Sequence, residues 1–291
     1  MKEINKLKLF KKWILGKNSL EEISQKYKIN RSTICRWFKE FKEIEIAPEY
    51  TSCLNKVIII DATYLKSSKG HCVLIARNFN GQVINWMFTQ RETFESWFFF
   101  FNKIKDFPLV IVCDGQRGML KAIIARFPNI KIQRCLFHVA KHSKSLLTNN
   151  PQTKAGQELL TLVKQLFRRM NIEESISFKK DVLKWESRHK SFLKEKTYYY
   201  DFNLKKHRWF YTHKNVRRAF YSIKPPFNNL FTYLDYSHIY IPHTSNSIEG
   251  GINSPLKSLI HAHRGKSLLS QRQLISFYLK ERQSYIKSKN I

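Results

Sequence analysis

Two short runs constrain what this chain can fold into. Val57-Ile-Ile-Ile60 and Leu109-Val-Ile-Val-Cys113 are apolar at every position, too brief for helices, and each leads directly into an aspartate, Asp61 and Asp114. Short unbroken runs rich in β-branched residues read as strands buried on both faces. Such strands need helices to cover them. The surrounding pattern supplies these, with helical spacing over 94–105, over 117–127 and from Leu136 onward. Further strands are predicted at His71–Arg77, Val83–Met87 and Ile130–Gln133. The first two flank Asn78-Phe-Asn-Gly81, a turn in which Asn80-Gly81 tolerates positive φ. The resulting order, β-β-β-α-β-α-β-α, is an α/β mixed sheet with helices packed on it.

Residues 1 to about 42 follow a helical period. Ile4, Leu7, Phe10, Trp13 and Ile14 share one face of a first helix, and Ser19-Leu-Glu-Glu22 is a capping box opening a second. Lys28-Ile-Asn30 makes a short turn into a third helix, whose inward stripe is Ile34, Trp37, Phe38 and Phe41. That helix exposes Arg31, Ser32, Thr33, Arg36 and Lys39, the polar and basic face expected of a helix-turn-helix reading DNA. An ordinary helical hairpin has the same apolar period; the basic face favours DNA. Residues 43–56, with Pro48, read as a linker. We therefore expect a small all-α domain over 1–45 and an α/β domain over 55–291. Between about 150 and 240 no comparable strand pattern occurs, and the segment is predicted to be a largely helical insertion. It is rich in cations and aromatics, including Tyr198-Tyr-Tyr200 and Trp209-Phe-Tyr211, rings that either pack or stack on bases. A last helix is expected from Ser267 to about Lys287, with Leu268, Leu269, Ile275, Tyr278 and Leu279 for burial.

Charge narrows the partners. Fifty-two Lys and Arg against 22 Asp and Glu leave a net charge of +30. Cations facing phosphates release condensed counterions, so this excess points to nucleic acid. The five cysteines are odd in number and contain no C-x-x-C pair, which favours free thiols in a reducing compartment. The longest apolar stretch, Trp97–Phe101, is far too short to span a membrane, and no secretory signal is legible. The expectation is a soluble protein of the bacterial cytoplasm, associated with the nucleoid.

Against this cationic background the carboxylates stand out. Loops at strand ends are where α/β folds place polar chemistry. Asp61 and Asp114 are therefore joined with a third acid, Glu249, in His243-Thr-Ser-Asn-Ser-Ile-Glu249-Gly-Gly-Ile-Asn253. Oxygen ligands of this type suit two hard cations, Mg²⁺ or Mn²⁺, arranged for in-line phosphoryl displacement. Each acid also has an ordinary reading: Asp61 and Asp114 as turn residues, Glu249 as the partner of Asn246 in a capping box. Arg134-Cys135-Leu-Phe-His138 carries half of a zinc ligand set with no second half, so Cys135 is expected inside and His138 near the carboxylates.

Asp61-Ala-Thr, Cys113-Asp-Gly-Gln-Arg-Gly118, the C-x-x-H of Cys135 and His138, Thr244-Ser-Asn-Ser-Ile-Glu-Gly-Gly-Ile-Asn-Ser-Pro-Leu-Lys257 and His263-Arg-Gly265 occur in that order over about 55–285. The series resembles the DDE transposases of bacterial insertion sequences, in the branch related to Mutator-like elements. The resemblance implies an RNase H-like catalytic core with an α-helical insertion before the glutamate. It also implies Asp61, Asp114 and Glu249 as catalytic, metal-binding acids, and Cys135, His138, Asn246 and Asn253 near the active site. Arg264 is implied at the DNA. Relatives commonly carry a cysteine-rich zinc ribbon, and no C-x-x-C occurs here. The function implied is binding of double-stranded DNA at terminal inverted repeats, cleavage at the element ends and joining of the 3′-hydroxyl to target DNA. A homodimer or higher synaptic complex is expected. The rival readings are a non-catalytic DNA-binding regulator derived from a transposase, and an RNase H-like nuclease that cleaves without joining.

Overall fold

An apolar run remains a strand only where neighbours complete its backbone hydrogen bonds, and β1 (Val57–Tyr64) has such a neighbour along nearly its whole length. It pairs antiparallel with β2 (Cys72–Asn78), from Ile58 opposite Asn78 to Tyr64 opposite Cys72. The strand therefore does not stop at Asp61 as its apolar composition suggests. Asp61 sits in the strand interior, opposite Ile75, because Ala62, Thr63 and Tyr64 still find partners. In this computed structural model the described residues are 5–15, 18–42, 46–48, 57–65, 71–78, 80–225, 227–236, 238–245, 254–262, 265 and 267–284.

β2 pairs antiparallel with β3 (Val83–Thr89), with a register shift between Ala76 and Arg77. Gly81 takes φ +86° at the turn, the conformation the Asn-Gly pair predicts. The sheet is completed by β4 (Val110–Cys113) and β5 (Lys131–Arg134), in the order β3-β2-β1-β4-β5. The architecture is thus mixed α/β, as expected.

Contacts divide the chain into two units. One comprises Met1–Ile111, Gly115–Ile130 and Asn246–Ile291; the other comprises Val112–Asp114 and Lys131–Ser245. In the first unit α1 (Lys6–Leu15), α2 (Leu20–Tyr27) and α3 (Arg31–Lys42) form the N-terminal region. The Ser19–Glu22 capping box is present, and Lys28 ends α2 in the left-handed conformation. Asn30 accepts the Ser32 amide at 2.9 Å and so caps α3. On α1 the buried face is Leu9, Phe10, Trp13 and Ile14. Leu7, expected on that face, is exposed.

Also in the first unit, α4 (Phe94–Asn102) buries Trp97, Phe100 and Phe101, and α5 (Arg117–Arg126) packs beside it. α11 (Ser254–Ala262) precedes α12 (Leu268–Ser284), which contacts α1, α3 and β3. Phe277 meets Phe10 edge to face at 4.6 Å, and Lys11 pairs with Glu281 at 2.8 Å. Ile275, Tyr278 and Leu279 are buried on α12 as predicted, whereas Leu269 in its first turn is exposed.

The second unit holds α6 (Leu136–Leu147), α7 (Lys154–Gln165), α8 (Ile172–Arg188), α9 (Lys190–Lys194) and α10 (Lys214–Ile223). Trp185 and Phe220 anchor its interior. It is largely helical but not entirely. β6 (Lys196–Asp201) and β7 (Lys206–Tyr211) form a separate antiparallel sheet where no strand was expected. Both strands lie mostly in solvent, so neither carries the apolar alternation that marks a half-buried strand. Among the described residues no helix is long and apolar enough to cross a membrane.

Candidate active site

Asp61 is half-buried on β1, and its Oδ1 accepts the Ala62 amide at 2.9 Å. The β1–β2 register places Ile59 opposite Arg77 and Asp61 opposite Ile75. Arg77 is therefore the diagonal neighbour of Asp61 on the same sheet face. It is 2% exposed. Burial pushes its guanidinium down to about 10, opposed by the charge of Asp61. A group at that value is still fully protonated at neutral pH. A buried cation is tolerated only beside an opposite charge, and here that charge is a candidate catalytic acid.

Asp114 follows β4 directly and is also half-buried. Gly115, at φ +86°, turns the chain sharply after it. Arg134 at the end of β5 is this acid's counterpart to Arg77. Burial lowers the Arg134 guanidinium, and the charges of Cys113 and Asp114 oppose that shift. One of its terminal nitrogens donates to the Ser222 carbonyl at 3.0 Å.

The C-x-x-H pair belongs to the same unit as Asp114 and Arg134. The Cys135 amide donates to the carbonyl of Cys113, the residue before Asp114, at 2.6 Å. Its buried Sγ accepts from both the amide and the hydroxyl of Ser245, at 3.2 and 3.3 Å. His138 Nδ1 lies 3.3 Å from the same hydroxyl, and the Leu136 amide donates to the His243 carbonyl at 2.9 Å. Burial raises the Cys135 thiol, but hydrogen bonds from His138 and Ser245 and the His138 charge outweigh it, so the net shift is downward. The pair thus holds the backbone at Asp114 on one side and the segment entering the Glu249 block on the other.

Glu249, Asn246, Asn253 and Arg264 lie outside the described residues. Among the described residues no cluster of three or more His, Cys, Asp or Glu side chains is close enough to hold a metal. Cys135 and His138 both engage Ser245. The donors the two aspartates offer are hard oxygens, which fit Mg²⁺ or Mn²⁺ rather than a thiophilic ion. On α3, Arg31, Ser32, Arg36 and Lys39 are exposed and Thr33 is half-buried. Arg31 reaches Glu21 at only 4.0 Å.

Three contacting residues carried no assigned role in the sequence: Arg77, Arg134 and Ser245. Arg77 had a signal, a lone cation inside the otherwise apolar Cys72-Val-Leu-Ile-Ala76 strand. Ser245 had none beyond its place four residues before Glu249.

A comparison with curated proteins finds no match. The family described as Transposase, Mutator family, matches residues 15–229, which include both aspartates, the C-x-x-H pair and most of the second unit. The chain belongs to the Mutator family of transposases.

Proposed function

We propose that the chain is a DDE transposase which binds the terminal inverted repeats of its own element, cleaves at the element ends and joins the freed 3′-hydroxyl to target DNA. Asp61, Asp114 and Glu249 hold two divalent cations, Mg²⁺ or Mn²⁺. When bound, these activate the attacking oxygen and stabilise charge on the leaving oxygen. The chain's own residues keep the acids placed. Arg77 and Arg134 offset carboxylate charge before the cations arrive. Cys135 and His138 fix the start of the Glu249 block against the backbone at Asp114, with Asn246 and Asn253 orienting the glutamate. The sheet is read as an RNase H-like core preceded by a helix-turn-helix domain over 1–45. There α3 meets duplex DNA through Arg31, Ser32, Thr33, Arg36 and Lys39, and Arg264 adds a phosphate contact near the acids. Two element ends are held at once by a dimer or higher synaptic complex, acting at the nucleoid of a bacterial cytoplasm.

The observation that carries this reading is the Cys135 bridge. One side chain and its amide join Cys113, beside the second acid, to Ser245, four residues before the third. A turn residue or a capping box would need no such tie. The test uses the full-length protein, Mg²⁺ and a duplex carrying one element end. Cleavage followed by joining of the 3′-hydroxyl is expected. Cleavage without joining on pre-cut ends supports a nuclease instead, and repeat binding with no metal-dependent nicking supports a regulator.

A further inference from the structure

Aromatic side chains normally gain by leaving water, yet the β6–β7 ribbon keeps them in it. Tyr198 is 68% exposed, Trp209 47% and Phe202, at the tip, 83%. The register sets Tyr198 opposite Trp209 and Tyr200 opposite His207, so these four rings share one face. The root of the ribbon is fixed. The Thr197 and Thr212 hydroxyls meet at 2.9 Å, and His213 stacks on Phe192 at 3.6 Å. The tip is ordered as well, since Asp201 Oδ1 accepts the amides of Asn203 and Leu204, each at 3.1 Å. A two-stranded sheet is marginal in isolation, so a rooted ribbon with a solvent-exposed aromatic face is suited to a partner.

Charge identifies the partner's chemistry. Between 196 and 211 stand Lys196, Lys205, Lys206 and Arg208 against the single acid Asp201, which is already paired with Arg208 at 3.0 Å. Lys196 Nζ lies 3.8 Å from the centre of the Trp209 ring. Lysines are depleted from the centres of protein interfaces, where desolvating them is costly, so cations interleaved with the rings argue against a second protein copy. Flat rings beside phosphate-seeking cations suit a strand whose bases are unpaired, because paired and stacked bases offer no free face.

We propose that the β6–β7 ribbon binds unpaired DNA bases, with Tyr198 and Trp209 as the stacking platform and Lys196, Lys205 and Lys206 facing the phosphates. This rests on the reading that the chain acts on DNA, and it specifies which element contacts a melted strand. Opening of a duplex end during cleavage would supply such bases.

The test measures binding of the full-length protein to one oligonucleotide, single-stranded and as a duplex, at fixed salt. Trp209→Ala should weaken single-strand binding roughly tenfold, and Tyr198→Ala with Trp209→Ala further, while duplex binding stays within about threefold. Trp209→Phe keeps a ring and should retain near-parental affinity. Both positions are exposed, so melting temperature should hold. Unchanged single-strand affinity in the double variant overturns the proposal. So does an equal loss on single strand and duplex, which reduces the ribbon to a phosphate contact. Conversion of a dimer to a monomer with DNA binding intact also overturns it, assigning the face to a second copy. Failure of the parent protein to bind either DNA form removes the underlying reading instead.

Discussion

Asp61 and Asp114 are the same side chain in two different backbone settings. Asp61 stands inside a strand, with pairing continuing beyond it to Tyr64. Asp114 stands one residue past a strand, at a turn that Gly115 makes possible. Yet each has a guanidinium beside it that is largely withdrawn from water, Arg77 and Arg134 respectively. The backbone differs while the electrostatic companion recurs. In the site proposed above, the recurrent element is thus a carboxylate beside a desolvated cation rather than one local fold. Position along the strand then decides which support is needed. The in-strand acid has sheet pairing on both sides of it, whereas the residue before the strand-end acid accepts the Cys135 amide.

The comparison breaks most sharply if the two acids are not equivalent in chemistry. Asp61→Asn and Asp114→Asn should each lower Mg²⁺-dependent end cleavage by on the order of 10³-fold, the several kcal/mol that metal activation supplies, as should Glu249→Gln. Circular dichroism should be unchanged, and activity surviving in either aspartate variant would dissolve the pairing.

The arginines sharpen it next. Arg77→Met leaves a half-buried carboxylate without its cation and should cost about 3 kcal/mol in urea unfolding. Arg134→Met should cost less, about 2 kcal/mol, since its carbonyl partner on Ser222 can find water. Equal losses would mean that burial at the two sites does not differ in effect.

The tie itself comes third. Cys135→Ala leaves the Ser245 amide without its acceptor, while the hydroxyl keeps His138 Nδ1, and should cost about 1–2 kcal/mol, with cleavage requiring more Mg²⁺ than in the parent. A stability loss with no change in metal requirement would make the tie merely structural.

The smallest effect concerns His243, which burial, and secondarily Arg169, holds below its ordinary 6.5. The unfolded chain takes up that proton first, so stability should fall as pH drops below 6.5 and level off beneath the folded value. His243→Gln should flatten this part of a melting-temperature profile between pH 7 and 5.

Much of the fold was legible because local rules and packing agreed. Ser19 and Glu22 announce a capping box, Asn80-Gly81 a hairpin, and the two apolar runs a buried sheet. Where one rule stood alone, it failed. Composition ended β1 at Asp61, but pairing with β2 carried it to Tyr64. Helical periodicity put Leu7 inside, but Leu9 is buried and Leu7 is exposed. β6 and β7 were invisible because exposed strands have no apolar face to alternate. The candidate acids were found by residue type and spacing. Their companions Arg77 and Arg134 were not assigned, since a cation's partner across a sheet depends on register, which a sequence does not print.

The most direct test is the number of Mn²⁺ ions bound per chain, measured by electron paramagnetic resonance on the full-length protein with an element-end duplex. Two ions with mutual dipolar coupling are predicted, with that coupling lost in each of Asp61→Asn, Asp114→Asn and Glu249→Gln. A coupled pair that survives in any of the three, or no bound pair in the parent protein, would contradict the shared site.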